Sequence, residues 1–399
     1  MKRFVREYDY YRNIFRERPL PLAYVDLELF DANIAAVLER AGRTRIRVAS
    51  KSIRCVPLLE RILASDERFD GVMCYTAGEA VFLSQLGLNN LLIAYPAWQE
   101  AELASLCREL RRGKRLICTI DSVEHADHLN QSGRAFDTQI PVCIDADMSY
   151  SFFGLHFGVQ RSPIRDAASA AHVAKHVIGC RHLRLEGLMA YEAQIAGIPD
   201  DVPGRLFRNS AVRFLQSLSR RDVLRRRREL ASAIVKAAHE LAFVNGGGSG
   251  SIDFTVSDGA VTEITVGSAF FAPALFDGYH NVQYQPAAGF ALEITRIPKP
   301  GVFTCLGGGY AASGSAGPDR LPSPYLPRGA RLLPSEGAGE VQTPVRYRGE
   351  PRLDIGDPIL MRHAKAGELC EHFNSLALVS NGAIIDEAPT YRGEGQAFL

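Results

Sequence analysis

Residues 115–146, RLICTIDSVEHADHLNQSGRAFDTQIPVCIDA, decide the fold class. An apolar β-type run (115–121) is followed by a helical stretch from Val123 to Asn130 and then by a second apolar run (140–146). That order is a βαβ unit, in which the intervening helix carries the chain back so that the two strands lie parallel. The alternation continues on both sides. Upstream lie RIRVAS (45–50), DGVMCY (70–75) and LLIAYP (91–96); downstream lie LRLEGLMAYE (183–192), LAFVNGGG (241–248) and TEITVGS (262–268). Between them run helical patterns over 31–41, with Asp31 as its N-cap, and over 56–64, 78–86, 100–111, 166–177 and 206–240. Eight βα units in about 250 residues predict an α/β fold built on a (β/α)8 TIM barrel. An open, doubly wound sheet is the alternative arrangement.

The pattern changes after residue 285. Twelve of the 21 prolines fall in the last 115 residues, where helical periodicity gives way to short alternating runs. LALVS and AIIDE flank Asn381-Gly382, the dipeptide favoured in two-residue hairpins. These features predict a barrel over 21–284 and a mostly antiparallel β domain over 285–399, joined by the N-terminal segment 1–20.

The charge balance, 46 Lys plus Arg against 45 Asp plus Glu, offers no basis for binding nucleic acid or an anionic membrane. The basic run Arg225–Arg228 reads as a solvated helix face. No run of about 20 apolar residues is present to span a bilayer. The eight cysteines are scattered without a Cys-x-x-Cys pair, which fits a reducing, cytoplasmic compartment.

In a barrel of this kind the reactive groups stand at the C-terminal ends of the strands, and phosphate sites form after the seventh and eighth. The seventh run ends in Asn245-Gly246-Gly247-Gly248-Ser249, where missing side chains let backbone N–H groups converge on an anion. The eighth ends in Gly267-Ser268, and the first in Lys51, an amine able to form a Schiff base. An amine facing a phosphate cradle is what pyridoxal 5'-phosphate requires: aldehyde at one end, phosphate at the other.

With RVASKSIRC, GLMAYEAQ, NGGGSGS and TEITVGSAFF in this order, the chain resembles the alanine-racemase-like (fold type III) pyridoxal-phosphate enzymes. It is most similar to their D-threonine aldolase and D-serine dehydratase branch, including bacterial amino acid deaminase/aldolase proteins. The resemblance implies that Lys51 carries the Schiff base, that Asn245 to Ser249 with Gly267 and Ser268 hold the phosphate, and that Tyr191 lines the cofactor ring. It also implies a homodimer.

Two departures stand out. Where the branch places an arginine two residues before a glycine, this chain has His156, with Arg161 as the alternative cation near the cofactor. Where the branch binds a divalent ion (zinc or manganese) through a His-x-Cys or His-x-Asp pair, this chain reads Gly-Glu-Leu-Cys-Glu-His over 367–372. In a strand, Glu368, Cys370 and His372 would share one face and offer a metal site; His363 is a further candidate. The expected activity is that of a lyase acting on a D-amino acid with a β-hydroxyl, by aldol cleavage or by dehydration and deamination. The rivals are a racemase, a non-catalytic pyridoxal-phosphate carrier and a phosphosugar aldolase.

Overall fold

The computed structural model describes residues 4–315 and 317–398. The chain forms two compact units. One comprises Val37–Ser50, Arg61–Gly267 and the end from Phe398; the other comprises the chain up to Ala36, Lys51–Glu60 and Ser268–Ala397.

The first unit is a closed barrel of eight parallel strands: Arg45–Ala49, Phe69–Cys74, Leu91–Ile93, Leu116–Ile120, Ile140–Asp145, Leu183–Met189, Phe243–Gly246 and Glu263–Val266. These are the eight runs expected from the sequence. The eighth closes on the first, with Glu263 opposite Arg45 and Val266 opposite Val48. Its interior buries Leu92, Ile117, Cys143, Met189 and Phe243. Gly187 makes room for the last of these, because a Cβ there would lie 2.3 Å from the Phe243 ring.

The helices follow their N-caps. Asp166 accepts from the Ser169 N–H at 2.9 Å and opens Ala167–Gly179 as expected. Asp31, in contrast, lies inside a helix that begins at Leu27. The capping carboxylate is Asp26, which is fully buried and accepts from Leu29 N–H at 3.2 Å. A buried strand residue was hidden from the sequence pattern as a helix start.

In the second unit most of the strands after 285 form a mainly antiparallel sheet. Leu22–Asp26 falls inside the span expected for the barrel, yet it pairs antiparallel with Ala288–Lys299 and parallel with Ser375–Ser380. Ahead of it Tyr8–Phe15 is a helix, with Tyr11, Phe15 and Tyr24 packed ring to ring. The Asn381-Gly382 hairpin forms as expected: both residues have positive φ, at 50° and 79°, and Ser380 pairs with Ala383. Among the described residues no helix is long and apolar enough to cross a membrane. All eight cysteines are free and buried.

Candidate active site

Lys51 lies in a short 3-10 turn, Ser50–Ser52, directly after the first barrel strand. The turn is fastened on both sides. Ser50 Oγ donates to the Met73 carbonyl at 2.9 Å within the barrel unit. In the other unit the Ser52 and Ser268 hydroxyls meet at 3.1 Å, and Arg54 Nε donates to the Lys51 carbonyl at 3.1 Å. Ser268 follows Gly267, whose N–H reaches Ser249 Oγ at 3.4 Å.

That loop rests on a buried ionic network. Glu192, fully buried, accepts from Gly247 N–H at 3.0 Å, from Ser251 Oγ at 2.9 Å, from the Thr255 hydroxyl and from Arg227 Nη2 at 2.6 Å. Arg227, also fully buried, donates in addition to Asp258 at 2.8 Å and to the Ala190 carbonyl at 2.8 Å. This corrects the reading of Arg225–Arg228 as a solvated face. Within the helix Leu206–Ala237, Arg226 and Arg227 point inward, and Arg225 and Arg228 point out. A run of four arginines gives no sign of which one the helix turns toward the core.

The glycines are required by close approach. Gly247 has φ +82°, and a Cβ on Gly248 would lie 3.0 Å from Ala196 Cβ and 3.4 Å from the Tyr191 ring. Two of the expected anion donors are otherwise engaged: Gly247 N–H is bound to Glu192, and Gly248 N–H donates to Ser251 Oγ at 3.2 Å. Asn245 is a barrel-interior residue, its amide donating to Glu263 and Thr265 at 2.8 Å each. Glu263 in turn holds Arg47 through contacts of 2.8 and 2.9 Å. The N–H groups of Gly247 and Gly248 are thus engaged within the protein, and Gly247 and Gly248 shape the turn.

Tyr191 leans over Gly248, and burial beside Glu192 pushes its phenol up to about 12, so it stays protonated. His156 falls on a small hairpin, Tyr150–Phe152 with Leu155–Phe157, where its Nε2 is buried without a hydrogen-bond partner. The guanidinium at the strand ends is Arg161. It donates to Asp145 at 2.6 Å and to the Ala94 carbonyl at 2.9 Å, and it lies 5.1 Å from the Tyr95 ring centroid. Burial pushes the Asp145 carboxyl up to about 6 despite this partner.

The structure also corrects the metal expectation. Glu368–Glu371 is a 3-10 turn, so the alternation that would align three side chains is absent. Glu368 accepts from the Ser313 N–H and hydroxyl. Cys370 is fully buried, its Sγ donates to the Ile53 carbonyl at 3.2 Å, and burial raises its thiol pKa well above the ordinary value. The His372 ring stacks on Tyr310 at 4.0 Å. His363 is fully buried edge-on to Phe271. These donors face different partners and do not fit one ion. The residues that do gather, among those described, are Asp127, His176 and Cys180, with ligand atoms within 4.8 Å of one another.

A sequence profile of the alanine racemase N-terminal domain matches residues 25–271. The chain belongs to this family. It is 24% identical over 257 residues to a D-threonine aldolase of Arthrobacter sp., an alignment covering 63% of this chain and 60% of that protein. It is 21% identical over 268 residues to the 3-hydroxy-D-aspartate aldolase of Paracoccus denitrificans (strain Pd 1222), covering 66% and 63%. These matches span about three fifths of the relatives' length. In fold, the family member resembles D-threonine aldolase from Filomicrobium marinum, with a TM-score of 0.79, 19% identity and coverage of 95% and 96%. It also resembles the D-threo-3-hydroxyaspartate dehydratase of Delftia sp. HT23, with a TM-score of 0.70, 19% identity and coverage of 94% and 98%.

Proposed function

We propose that this protein is a pyridoxal-phosphate-dependent lyase acting on a D-amino acid with a β-hydroxyl group, by aldol cleavage or by dehydration and deamination. The observation that carries the reading is Lys51 in the turn directly after the first barrel strand, in a chain whose seventh strand ends in a glycine loop held in shape by Glu192. The residues fit the cofactor: an amine, a side-chain-free cradle that a Cβ at Gly248 would fill, and a fixed guanidinium, Arg161, at the strand ends. Names of aldolases and a dehydratase among the relatives support the reaction class.

Pyridoxal phosphate, when bound, supplies an electron sink that labilises bonds at the substrate Cα. The chain's own contribution follows from its geometry. Lys51 would hold the cofactor, and its amine would be available to move a proton at the substrate Cα. Ser249, Gly267 and Ser268 hold the phosphate, and the Glu192–Arg227 pair keeps their loop in shape. Tyr191 covers one side of the cradle as a neutral phenol. Arg161, pinned by Asp145, presents a permanent positive charge. The metal donors do not fit, so no step is assigned to a divalent ion. A homodimer of cytoplasmic location completes the proposal.

The test is the visible absorption spectrum of the purified protein before and after borohydride. The expected result is a yellow band that reduction bleaches, with the pyridoxyl mass located on Lys51. A colourless protein that takes up no added pyridoxal phosphate overturns the proposal and returns the glycine loop to phosphosugar chemistry.

A further inference from the structure

The segment between the strand Pro358–Arg362 and the turn Glu368–Glu371 packs on the turn that carries Lys51. Gly367 permits the approach, since a Cβ there would lie 2.6 Å from the Ser52 carbonyl carbon and 2.9 Å from Ile53 N. Cys370 Sγ on Ile53 O, and the ion pair of Arg54 with Glu371, fasten the same two stretches. Lys365 lies two residues before Gly367 in the segment that makes this contact.

Lys365 is unusual for a lysine of this chain. The residue is half-buried, and its ammonium donates to the exposed Ser313, to its carbonyl at 3.1 Å and to its Oγ at 3.2 Å. Glu368 grips the same serine through its N–H at 3.0 Å and its hydroxyl. Among the described residues, no carboxylate forms an ion pair with Lys365. An ammonium has three N–H donors, and only two are engaged by the protein. The third N–H is left to face an anionic partner. Burial accordingly lowers the Lys365 pKa, with Arg320 adding to the effect and Glu368 opposing it.

We infer that Lys365 binds an anionic oxygen of the amino acid substrate, either its carboxylate or its β-oxygen as that atom gains charge. The chain thereby carries a built-in ammonium in the segment whose donors fail to fit a divalent ion. The inference rests on the function proposed above and assigns Lys365 a substrate-binding role within it.

The experiment uses the pyridoxal-phosphate-loaded protein with D-threonine and D-serine, read by turnover and by the shift of the visible band on adding each amino acid. Lys365→Met is expected to keep the cofactor band and melting temperature while losing about 100-fold in kcat/KM, with Lys365→Arg recovering about 10-fold of that. A carboxylate contact shows as a raised KM at unchanged kcat. A β-oxygen contact shows as a lowered kcat, with the band shift on D-alanine, which lacks that oxygen, unchanged. Ser313→Ala removes the hydroxyl that Lys365 and Glu368 share, and it is expected to cost less than about 10-fold. If Lys365 only clamps the loop, Ser313→Ala costs as much as Lys365→Met, and the inference falls. It falls equally if Lys365→Met stays within about threefold of wild type, or if dipicolinate abolishes wild-type turnover and zinc or manganese alone restores it. A wild-type protein without the visible band removes the proposed function and this inference together; a yellow one indifferent to Lys365→Met removes the inference alone.

Discussion

Arg227 Nη2 lies 2.6 Å from a Glu192 carboxylate oxygen, and both side chains are fully buried. Removing one member of such a pair strands the other charge in a dry interior. Arg227→Met is therefore expected to lower unfolding free energy by about 3–5 kcal/mol, whereas Arg228→Met, on the exposed face, stays within about 0.5 kcal/mol of wild type. Chemical denaturation of the two variants side by side checks this. Because Glu192 also holds Gly247 N–H, the Arg227 variant should lose cofactor affinity as well.

The Gly248 cradle gives a second prediction. A methyl group there meets Ala196 Cβ at 3.0 Å and the Tyr191 ring at 3.4 Å. Gly248→Ala should weaken pyridoxal-phosphate binding by about 10-fold or more while costing about 1–3 kcal/mol of stability, the usual range for overpacking. Fluorescence-monitored titration of the apoprotein measures the first effect and thermal denaturation the second.

A third prediction separates Arg161 from His156. Arg161 is anchored by Asp145 and Ala94, and His156 sits on a separate hairpin. Arg161→Met should shift the pH dependence of the cofactor's visible band, whereas His156→Ala should leave that profile as in wild type. A profile that moves with His156→Ala and not with Arg161→Met would reverse the assignment.

His363 makes stability sensitive to acid. Burial, with the neighbouring Arg362 adding to it, holds its pKa down at about 3, against an ordinary value of 6.5. The unfolded chain therefore takes up a proton below pH 6.5 that the folded chain refuses. The neutral ring's contribution is fully present above pH 6.5 and is lost as pH falls toward 3, with a slope of up to about 1.4 kcal/mol per pH unit. His363→Phe should flatten this limb, a change visible in denaturant unfolding curves between pH 4 and 7.

The sequence made the barrel legible because each strand is a short apolar run bounded by helical periodicity, and 115–146 shows the rule in one unit. The position of Leu22–Asp26 was not legible. Nothing local distinguishes a barrel strand from one that pairs with residues 288–291 and 377–379. The positions of Lys51 and the glycine loop directly after barrel strands were legible because strand ends and glycine runs are local signals. Arg227 and Glu192 were not, since their roles depend on partners tens of positions away. The metal triad failed for a related reason: a period-two argument holds only in a strand, and residues 368–371 turn instead.

The eighth strand's closure on the first has a further consequence. Ser249 and Gly267 follow the last two strands, and Lys51 follows the first, so the two groups become neighbours only when the ring is shut. A ligand attached to Lys51 and held by the glycine loop acts as a rivet across the seam. On the proposed function, cofactor binding would add to the stability of the closed ring.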